Sequence, residues 1–374
     1  MTVFTRSDTS LLGRWWWTVD RWTLAAIGAL IFFGIIMALA ASPAIAEDVG
    51  QDYFYFARRQ SIYLPLALGL MMCASLLSPT GVFRAASFAL MIFTLLVFAT
   101  FVYGTEIKGA QRWVTLGPLS IQPSEFLKPA FAIVAAGLFA ASRSATLPHA
   151  NLISIALYIL IAGLLLLQPD VGMAIVISSV WACQFFLAGL PLYFAALLLI
   201  GGIAGLVAAY FTLPHVASRI DQFLDPSSGD SYQVDRSLEA FMNGGWFGRG
   251  PGEGTIKEVL PDAHSDFVFA VAGEEFGLFA CLIIVGLYAF IVLRGFARAL
   301  QETDLFILLA TSGLLVQFGL QAVINMGSTL RLMPTKGMTL PFVSYGGSSL
   351  IAMGLCMGFL LALTRKRIDA EVLG

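Results

Sequence analysis

Long apolar segments separated by shorter polar connections dominate the chain. Ten segments each approach the roughly 17–25 residues that a helix needs to cross a bilayer. Their unbroken apolar character favours membrane-spanning helices. The pattern predicts an all-α integral membrane protein, a polytopic bundle of about ten transmembrane helices. The segments lie near residues 22–42, 61–78, 85–103, 125–142, 150–167, 170–188, 192–211, 266–293, 304–325 and 345–364.

Composition supports this class and excludes others. Hydrophobic residues make up 58% of the chain and charged residues only 12%, about half the charged share of a soluble domain. Basic residues form no cluster larger than the RKR at 365–367, so no nucleic-acid partner is expected. The four cysteines lie in apolar segments without metal-ligand spacing, which predicts neither a disulfide framework nor a zinc site.

The predicted organisation is one transmembrane domain, residues 22–364, between cytoplasmic tails at 1–21 and 365–374. Three consecutive tryptophans before the first segment predict an interfacial belt. Both sides hold equal numbers of Lys and Arg, but the inner ones have few acids nearby, which favours cytoplasmic termini. A large extracytoplasmic loop, about 212–265, separates the seventh and eighth segments. Its stretch FMNGGWFGRGPGEG predicts a shaped, partly membrane-seated turn rather than a flexible linker.

The stretch LPDAHSDFVFAVAGEE carries the strongest chemical signal. Asp266, preceded by His264 and Ser265, lies where this polar loop enters an apolar segment. Ionisable groups at membrane depth usually mark a working site that faces the bundle interior or a cavity. Helical spacing puts Glu274 near the face of Asp266 and Glu275 on the opposite side, where it needs another partner. The alternative to catalysis is helix capping by Ser265 or Asp266.

Cations near the outer ends of other segments indicate that an anionic group is handled there. Arg112 lies in GAQRWVTLGP, Lys128 follows IQPSE, and Lys336 lies in the turn PTKG. Arginine offers a bidentate fork to phosphate, whereas lysine acts as a point charge. Gln122 and Glu125 accompany Lys128. The alternatives are an internal i, i+3 ion pair between Glu125 and Lys128 and a solvated turn lysine at 336.

The last segment opens with SYGGSS, and LLQPDVG joins the fifth and sixth segments. Capping and tight packing are the ordinary roles of hydroxyls and glycines at a helix entry, and substrate hydrogen bonding is the alternative. Asp170 is expected to form a turn. The residues of interest in the last segment are Ser344, Tyr345, Gly346, Gly347 and Ser348.

Four ordered stretches resemble the SEDS family of peptidoglycan polymerases: GAQRWVTLGPLSIQPSEFLKP, LLQPDVGMAIVI, LPDAHSDFVFAVAGEEFGL and NMGSTLRLMPTKGMTLPFVSYGGSS. The likeness covers Gly104 to Leu363, and PTKG with TLPF is similar to the cell-division branch. The resemblance implies an enzyme of the cytoplasmic (inner) membrane at the division septum. It would polymerise lipid II, a disaccharide-pentapeptide on undecaprenyl pyrophosphate, into glycan strands on the outer face.

The resemblance also implies residue roles and partners. The essential aspartate of the family aligns with Asp266. The expected partners are an FtsI-like class B penicillin-binding protein and the activators FtsQ, FtsL and FtsB, within membrane lipid. No cofactor is required by the sequence, although a divalent cation such as Mg or Mn could accompany the pyrophosphate. No protein metal site is predicted.

The residues fit this chemistry in a simple way. A lipid pyrophosphate is already a good leaving group and needs positive charge rather than a proton donor, whereas the acceptor hydroxyl needs a base. One carboxylate, Asp266, and several cations match these needs. Two other functions stay open. A lipid II flippase would be favoured by charges at the membrane midplane, and a non-catalytic scaffold of the division machinery would need no base.

Overall fold

The computed structural model describes residues 10–48, 50, 52–107, 110–116, 119–189, 192–212, 214–224, 232–335 and 337–366. Lys336 and most of the C-terminal tail therefore lie outside the described residues. In chain order the elements are α1 (Leu11–Thr18), α2 (Arg21–Asp48), α3 (Tyr55–Ser75), α4 (Pro79–Tyr103), β1 (Thr105–Ile107), β2 (Ala110–Leu116), β3 (Leu119–Ile121), α5 (Pro123–Arg143), α6 (Ala150–Leu167), α7 (Val171–Leu187), α8 (Leu192–Thr212), α9 (Pro214–Leu224), α10 (Tyr232–Gly244), a 3₁₀ turn (Ile256–Glu258), α11 (Val268–Ala299), α12 (Leu305–Thr329) and α13 (Gly347–Leu363).

The ten predicted apolar segments correspond to helices α2–α8 and α11–α13. Six of these helices are long and apolar enough to cross a membrane by length and composition alone, namely α2, α4, α5, α6, α11 and α12. Helices α7 and α13 are apolar but have 17 residues each. The helical bundle confirms the predicted fold class, and the number of crossings stays a prediction.

Helices α5, α12 and α13 form the centre of the bundle. Most residues in the apolar stretches of α5 and α12 are buried inside the protein, whereas most residues in those of α4, α6 and α11 are at least partly exposed. Helix α13 packs closely on α3 because Gly347 faces the Tyr63 ring and Gly354 faces the Ala67 backbone. Small residues allow such close approach, which drives helix association where lipid removes the hydrophobic effect.

Helix α11 is broken at Gly277, where φ is 74° and ψ is −175°. The preceding loop fills the break with its own backbone: Arg249 N donates to Glu274 O (2.9 Å), and Leu278 N donates to Gly245 O (2.9 Å). Because lipid offers no hydrogen bonds, backbone groups freed by a break must be paired within the protein. The glycine- and aromatic-rich stretch is therefore a shaped turn, as its composition predicts.

Strands β1–β3 form a three-stranded antiparallel sheet with β2 in the middle. Trp113 pairs with Thr105 on one side of β2, and Val114 pairs with Ile121 on the other. The sheet lies between α4 and α5 in the chain, so it connects the C-terminal end of α4 to the N-terminal end of α5. It also fixes the position of Arg112 on β2.

An ion cluster ties the turn between α1 and α2 to the far end of α11. The Asp20 carboxylate accepts hydrogen bonds from Arg294 Nε (2.8 Å) and Nη2 (3.0 Å) and from Thr23 Oγ1 (2.8 Å). Arg298 Nε lies 3.2 Å from the same carboxylate. Burial alone would raise the pKa of Asp20, but these hydrogen bonds and positive charges outweigh it, so the pKa lies below its ordinary value.

Replacing Asp20 by Asn should destabilise the fold by about 2 kcal/mol, because two arginines lose the buried negative charge that they share. The lowered pKa gives this contribution a defined pH range. It is complete above the ordinary value of 3.8 and is lost as the pH falls through the lower folded-state value. Thermal unfolding of the detergent-solubilised protein at neutral pH measures the effect.

The matched control is Asp304→Asn at the N-cap of α12. Asp304 Oδ1 accepts hydrogen bonds from Phe306 N and Ile307 N, and asparagine caps helices about as well as aspartate. Equal melting temperatures for the Asp20 and Asp304 variants would contradict the role assigned to the cluster.

Candidate functional site

Asp266 lies in the turn that precedes α11 and is half-buried. The helix begins at Val268, and its N-cap is Phe267, which makes no side-chain cap. The residue at the N-cap position is therefore neither Ser265 nor Asp266. The Asp266 backbone is fixed instead, since its N–H donates to Asp262 O (3.0 Å).

Asn325 joins the Asp266 turn to the PTKG loop. Its Nδ2 donates to Asp266 O (2.9 Å) and to Met338 O (2.6 Å). Gly337 has φ 58°, and a Cβ built there would lie 3.3 Å from Asp266 Oδ2. The loop backbone therefore lies directly against the carboxylate. Lys336 is outside the described residues, but its neighbour Gly337 contacts the region of Asp266.

Arg219 on α9 is the cation that sequence reasoning missed at this site. Its Nη1 donates to Thr335 O (2.9 Å), on the PTKG loop. Burial of the guanidinium and the charge of Arg112 lower the pKa of Arg219, while Asp170 and Asp266 raise it. The side chain remains exposed in part, and an arginine stays charged at any working pH. The sequence feature that could have identified Arg219 was its position on a short amphipathic segment of the large loop.

Arg112 is held by the turn between α6 and α7. Its Nε donates to Gln168 O (3.0 Å), its Nη2 donates to Pro169 O (2.5 Å), and Nη1 lies 3.5 Å from Asp170 Oδ2. Burial raises the pKa of Asp170, and the Arg112 charge opposes that rise. Asp170 also caps α7 by accepting from Met173 N (3.4 Å). The turn role expected of Asp170 is confirmed, together with a charge role that was not expected.

Lys128 and Glu125 form the internal ion pair that their spacing allows. Lys128 Nζ lies 2.9 Å from Glu125 Oε2 and donates to Gln321 Oε1 (2.8 Å). The Lys128 side chain is only 1% exposed. Lys128 therefore lies deeper in the protein than Arg112, whose side chain is 28% exposed. Gln122 contributes its backbone N–H, which donates to Ser348 Oγ (3.1 Å).

One face of α12 supplies two amides that support this region. Gln321 and Asn325 are spaced by four residues and are both buried. Gln321 holds Lys128 and also donates to Thr339 O (3.2 Å), while Asn325 holds the Asp266 turn. Residues four apart share a helix face, so one surface of α12 positions both charged groups.

The SYGGSS segment supports the same turn from the other side. Ser344 Oγ donates to Ser265 O (2.5 Å), and Tyr345 N donates to His264 O (2.9 Å). The His264 ring lies between Phe56, at 4.4 Å, and Tyr345, at 5.3 Å between ring centroids. These contacts hold the turn through its backbone and rings.

Glycines and hydroxyls complete this support. Gly347 leaves room for the Tyr63 ring, and Gly346 lies next to Thr339. Ser348 Oγ donates to Ser120 O (3.1 Å), which attaches the start of α13 to β3. Burial raises the pKa of Tyr345 to about 12 despite the opposing charge of Arg59, so Tyr345 remains a neutral hydroxyl.

Glu274 and Glu275 hold the large loop and make no described contact with Asp266. The Glu274 carboxylate accepts from Thr255 N (3.1 Å) and Ile256 N (3.1 Å). Glu275 pairs with Lys257 at 2.6 Å, the separate partner that helical spacing requires. Their supporting role is therefore to fix the 3₁₀ turn and the loop against α11.

The site thus combines one half-buried carboxylate with cations from separate segments. Asp266 comes from the turn before α11, Arg219 from α9 and Arg112 from β2. A carboxylate can accept a proton, and arginines can bind phosphate oxygens. Among the described residues, no group of three or more His, Cys, Asp or Glu side chains is placed to hold a metal ion.

Comparisons with known proteins identify the family of this chain. The family model FtsW/RodA/SpoVE, described as a cell cycle protein, matches residues 21–368. A probable peptidoglycan glycosyltransferase FtsW from Caulobacter vibrioides (strain NA1000 / CB15N) is 42% identical, covering 98% of this chain and 95% of that protein. One from Saccharophagus degradans (strain 2-40 / ATCC 43961 / DSM 17024) is 37% identical, covering 93% and 94%.

Solved structures give the same result for the fold. A chain from a structure of a peptidoglycan synthase complex, described as coordinating polymerization and crosslinking, has a TM-score of 0.75 and 29% identity over 92% of this chain and 97% of that one. The Thermus thermophilus rod shape determining protein RodA has a TM-score of 0.69 and 30% identity over 93% and 97%. The chain therefore belongs to the FtsW/RodA/SpoVE family of cell cycle proteins.

Proposed function

We propose that this chain is a peptidoglycan glycosyltransferase that polymerises lipid II into glycan strands on the outer face of the cytoplasmic membrane during septal cell-wall synthesis. The similarity to proteins named peptidoglycan glycosyltransferase FtsW supports the activity. The observation that carries the residue roles is the placement of Asp266 beside the Arg219-bearing helix and the PTKG loop.

Asp266 is the proposed general base. The acceptor sugar hydroxyl attacks the anomeric carbon of the donor while its proton passes to Asp266. The bond from that carbon to the pyrophosphate breaks, and its electron pair leaves with undecaprenyl pyrophosphate, with inversion at the anomeric carbon. A positioned base typically contributes about 10²–10⁴-fold to such a step. Asn325 and Gly337 support this role because they fix the backbone next to the carboxylate.

Arg219, Arg112 and Lys336 are the proposed pyrophosphate ligands. The five N–H donors of a guanidinium allow Arg219 to bind both Thr335 O and a phosphate oxygen. Arg112 keeps some exposed surface beside its carbonyl contacts. Lys128, with Glu125 and Gln122, forms the floor of the site, where its buried charge acts at longer range. No step is assigned to a protein-bound metal ion.

The proposed partner is an FtsI-like class B penicillin-binding protein, with FtsQ, FtsL and FtsB as activators. The structural similarity to a chain of a peptidoglycan synthase complex supports a crosslinking partner. Helix α11 offers a surface for it, since Leu278, Leu282 and Ile283 are exposed. We also propose that both termini lie in the cytoplasm and that the protein is located at the division septum.

Asp266→Asn should lower glycan polymerisation from lipid II by at least about 10²-fold, because asparagine cannot accept the proton. The assay uses purified protein with its partner in detergent. Asp262→Asn is the matched control: Asp262 lies in the same turn with φ 56°, which asparagine tolerates. Near wild-type polymer from the Asp266 variant would rule out the base assignment. Lipid II translocation without chain growth in liposomes would support a flippase instead.

Arg219→Gln should reduce kcat/KM for lipid II by about 10²-fold, because one cation at developing charge is typically worth this much. Arg219→Lys should restore part of the loss, since lysine keeps the charge without the fork. The control is Arg331→Gln, an arginine of the same side that pairs with Asp235 at 3.3 Å. A loss of the same size in the Arg331 variant would show that the effect is general electrostatics.

Gly337→Ala should lower kcat by roughly tenfold or more. A Cβ there would meet the Asp266 carboxylate, and the positive φ disfavours any other residue by about 1–2 kcal/mol. Gly252→Ala separates these two effects, because Gly252 has φ 85° and a Cβ added there would have no atom within 4 Å. Equal activities for the two variants would contradict close contact between the loop and Asp266.

A further inference from the structure

Helix α1, which precedes the first long helix α2, exposes an apolar face. Ser10 caps it by accepting from Gly13 N (3.0 Å), and Trp15 anchors it in the core. In contrast, Leu11 is 77% exposed and Trp22, at the start of α2, is 68% exposed. A short helix fixed by one aromatic residue, with apolar side chains facing outward, is typical of a segment that lies in the membrane interface.

Arg21 adds a positive charge to this face. Its guanidinium lies over the Trp17 ring at 4.6 Å and the Trp16 ring at 5.1 Å, and its Nε donates to Trp16 O (3.2 Å). Tryptophan rings prefer the head-group layer. The contacts therefore hold an arginine at the depth where lipid phosphates lie.

Arg365, just beyond α13, supplies a second charge nearby. It is half-buried, and burial lowers its pKa. Within the described residues no acidic side chain pairs with it, in contrast to Arg294 and Arg298, which share Asp20. Lys366 N donates to Thr18 O (3.0 Å), so the end of α13 and the end of α1 are in direct contact.

Among the described residues, neither Arg21 nor Arg365 forms an ion pair with a carboxylate. Asp20, the nearest described acid in the chain to Arg21, already binds Arg294 and Arg298. A half-buried cation needs an anion or a strong acceptor. The exposed apolar side chains next to it favour an amphiphilic anion over a soluble one.

We propose that the junction of α1 and the end of α13 is a binding site for the head group of an anionic phospholipid. The lipid phosphate binds Arg21 and Arg365, and the acyl chains run along the exposed side chains of α1 and Trp22. Basic pockets between helices at the cytoplasmic face bind anionic lipids in this way. The site is at the opposite end of α11 from Asp266, so the inference does not depend on the proposed chemistry.

Native mass spectrometry of the full chain tests the site, with phosphatidylglycerol or phosphatidylcholine added to the detergent-solubilised protein. Each basic residue is worth about fivefold in binding an anionic membrane, so R21Q/R365Q should bind phosphatidylglycerol about 25-fold more weakly. Its weak phosphatidylcholine binding should not change. R21K/R365K keeps both charges and should retain most of the binding, which separates charge loss from misfolding.

Arg143→Gln is the matched control, because Arg143 is an exposed arginine whose Nη2 donates to Gly189 O (2.6 Å), away from α1. It should bind phosphatidylglycerol as the wild type does. Inorganic phosphate at millimolar concentration should not compete with the lipid. The proposal is overturned if R21Q/R365Q and the wild type bind phosphatidylglycerol equally, if R143Q loses as much binding, or if inorganic phosphate displaces the lipid.

Discussion

The hydrogen bonds of one amide, Asn325, connect the two loops of the site to each other. Its two donors join the turn that carries Asp266 to the loop that carries Gly337. The Asn325 side chain is buried, and removing its amide would leave both carbonyls without this donor, at a cost of about 1–3 kcal/mol for each carbonyl left unpaired. The position of the carboxylate is therefore a property of α12, even though Asp266 belongs to another element.

The same constraint explains the large loop. A helix that breaks at Gly277 frees backbone groups, and residues 245–250 pair with them. Glu274 accepts hydrogen bonds from the backbone N–H groups of the next loop segment, at Thr255 and Ile256. Glu275 forms an ion pair with Lys257 in the same segment. Glu274 and Glu275, the carboxylates that the sequence suggests as supporting residues, are thus the anchor of the loop. The Asp266 carboxylate lies against the PTKG loop instead.

Much of this could be predicted from the sequence. Apolar length and composition indicated the bundle. Helical spacing indicated the Glu125–Lys128 pair and the placement of Glu275 away from Asp266, because both depend on local periodicity. Arg219 could not be predicted, since its approach to Thr335 depends on how the large loop folds back over 116 residues of chain. The part played by Asn325 was hidden for the same reason: a buried amide in an apolar helix gives no sign of which carbonyls it will meet.

Helix α11 is fastened near both of its ends and interrupted between them. At its C-terminal end, Arg294 and Arg298 form ion pairs with Asp20. At its N-terminal end, the Asn325 amide binds the turn that carries Asp266. The break at Gly277 lies between these two ends. A force applied sideways to the exposed surface of this helix by a docked membrane segment would bend it where the regular hydrogen bonding is already absent. Residues 245–250, which pair with the broken part of α11, would then move with the bend. They lie a few residues before Thr255–Lys257, the segment that Glu274 and Glu275 bind.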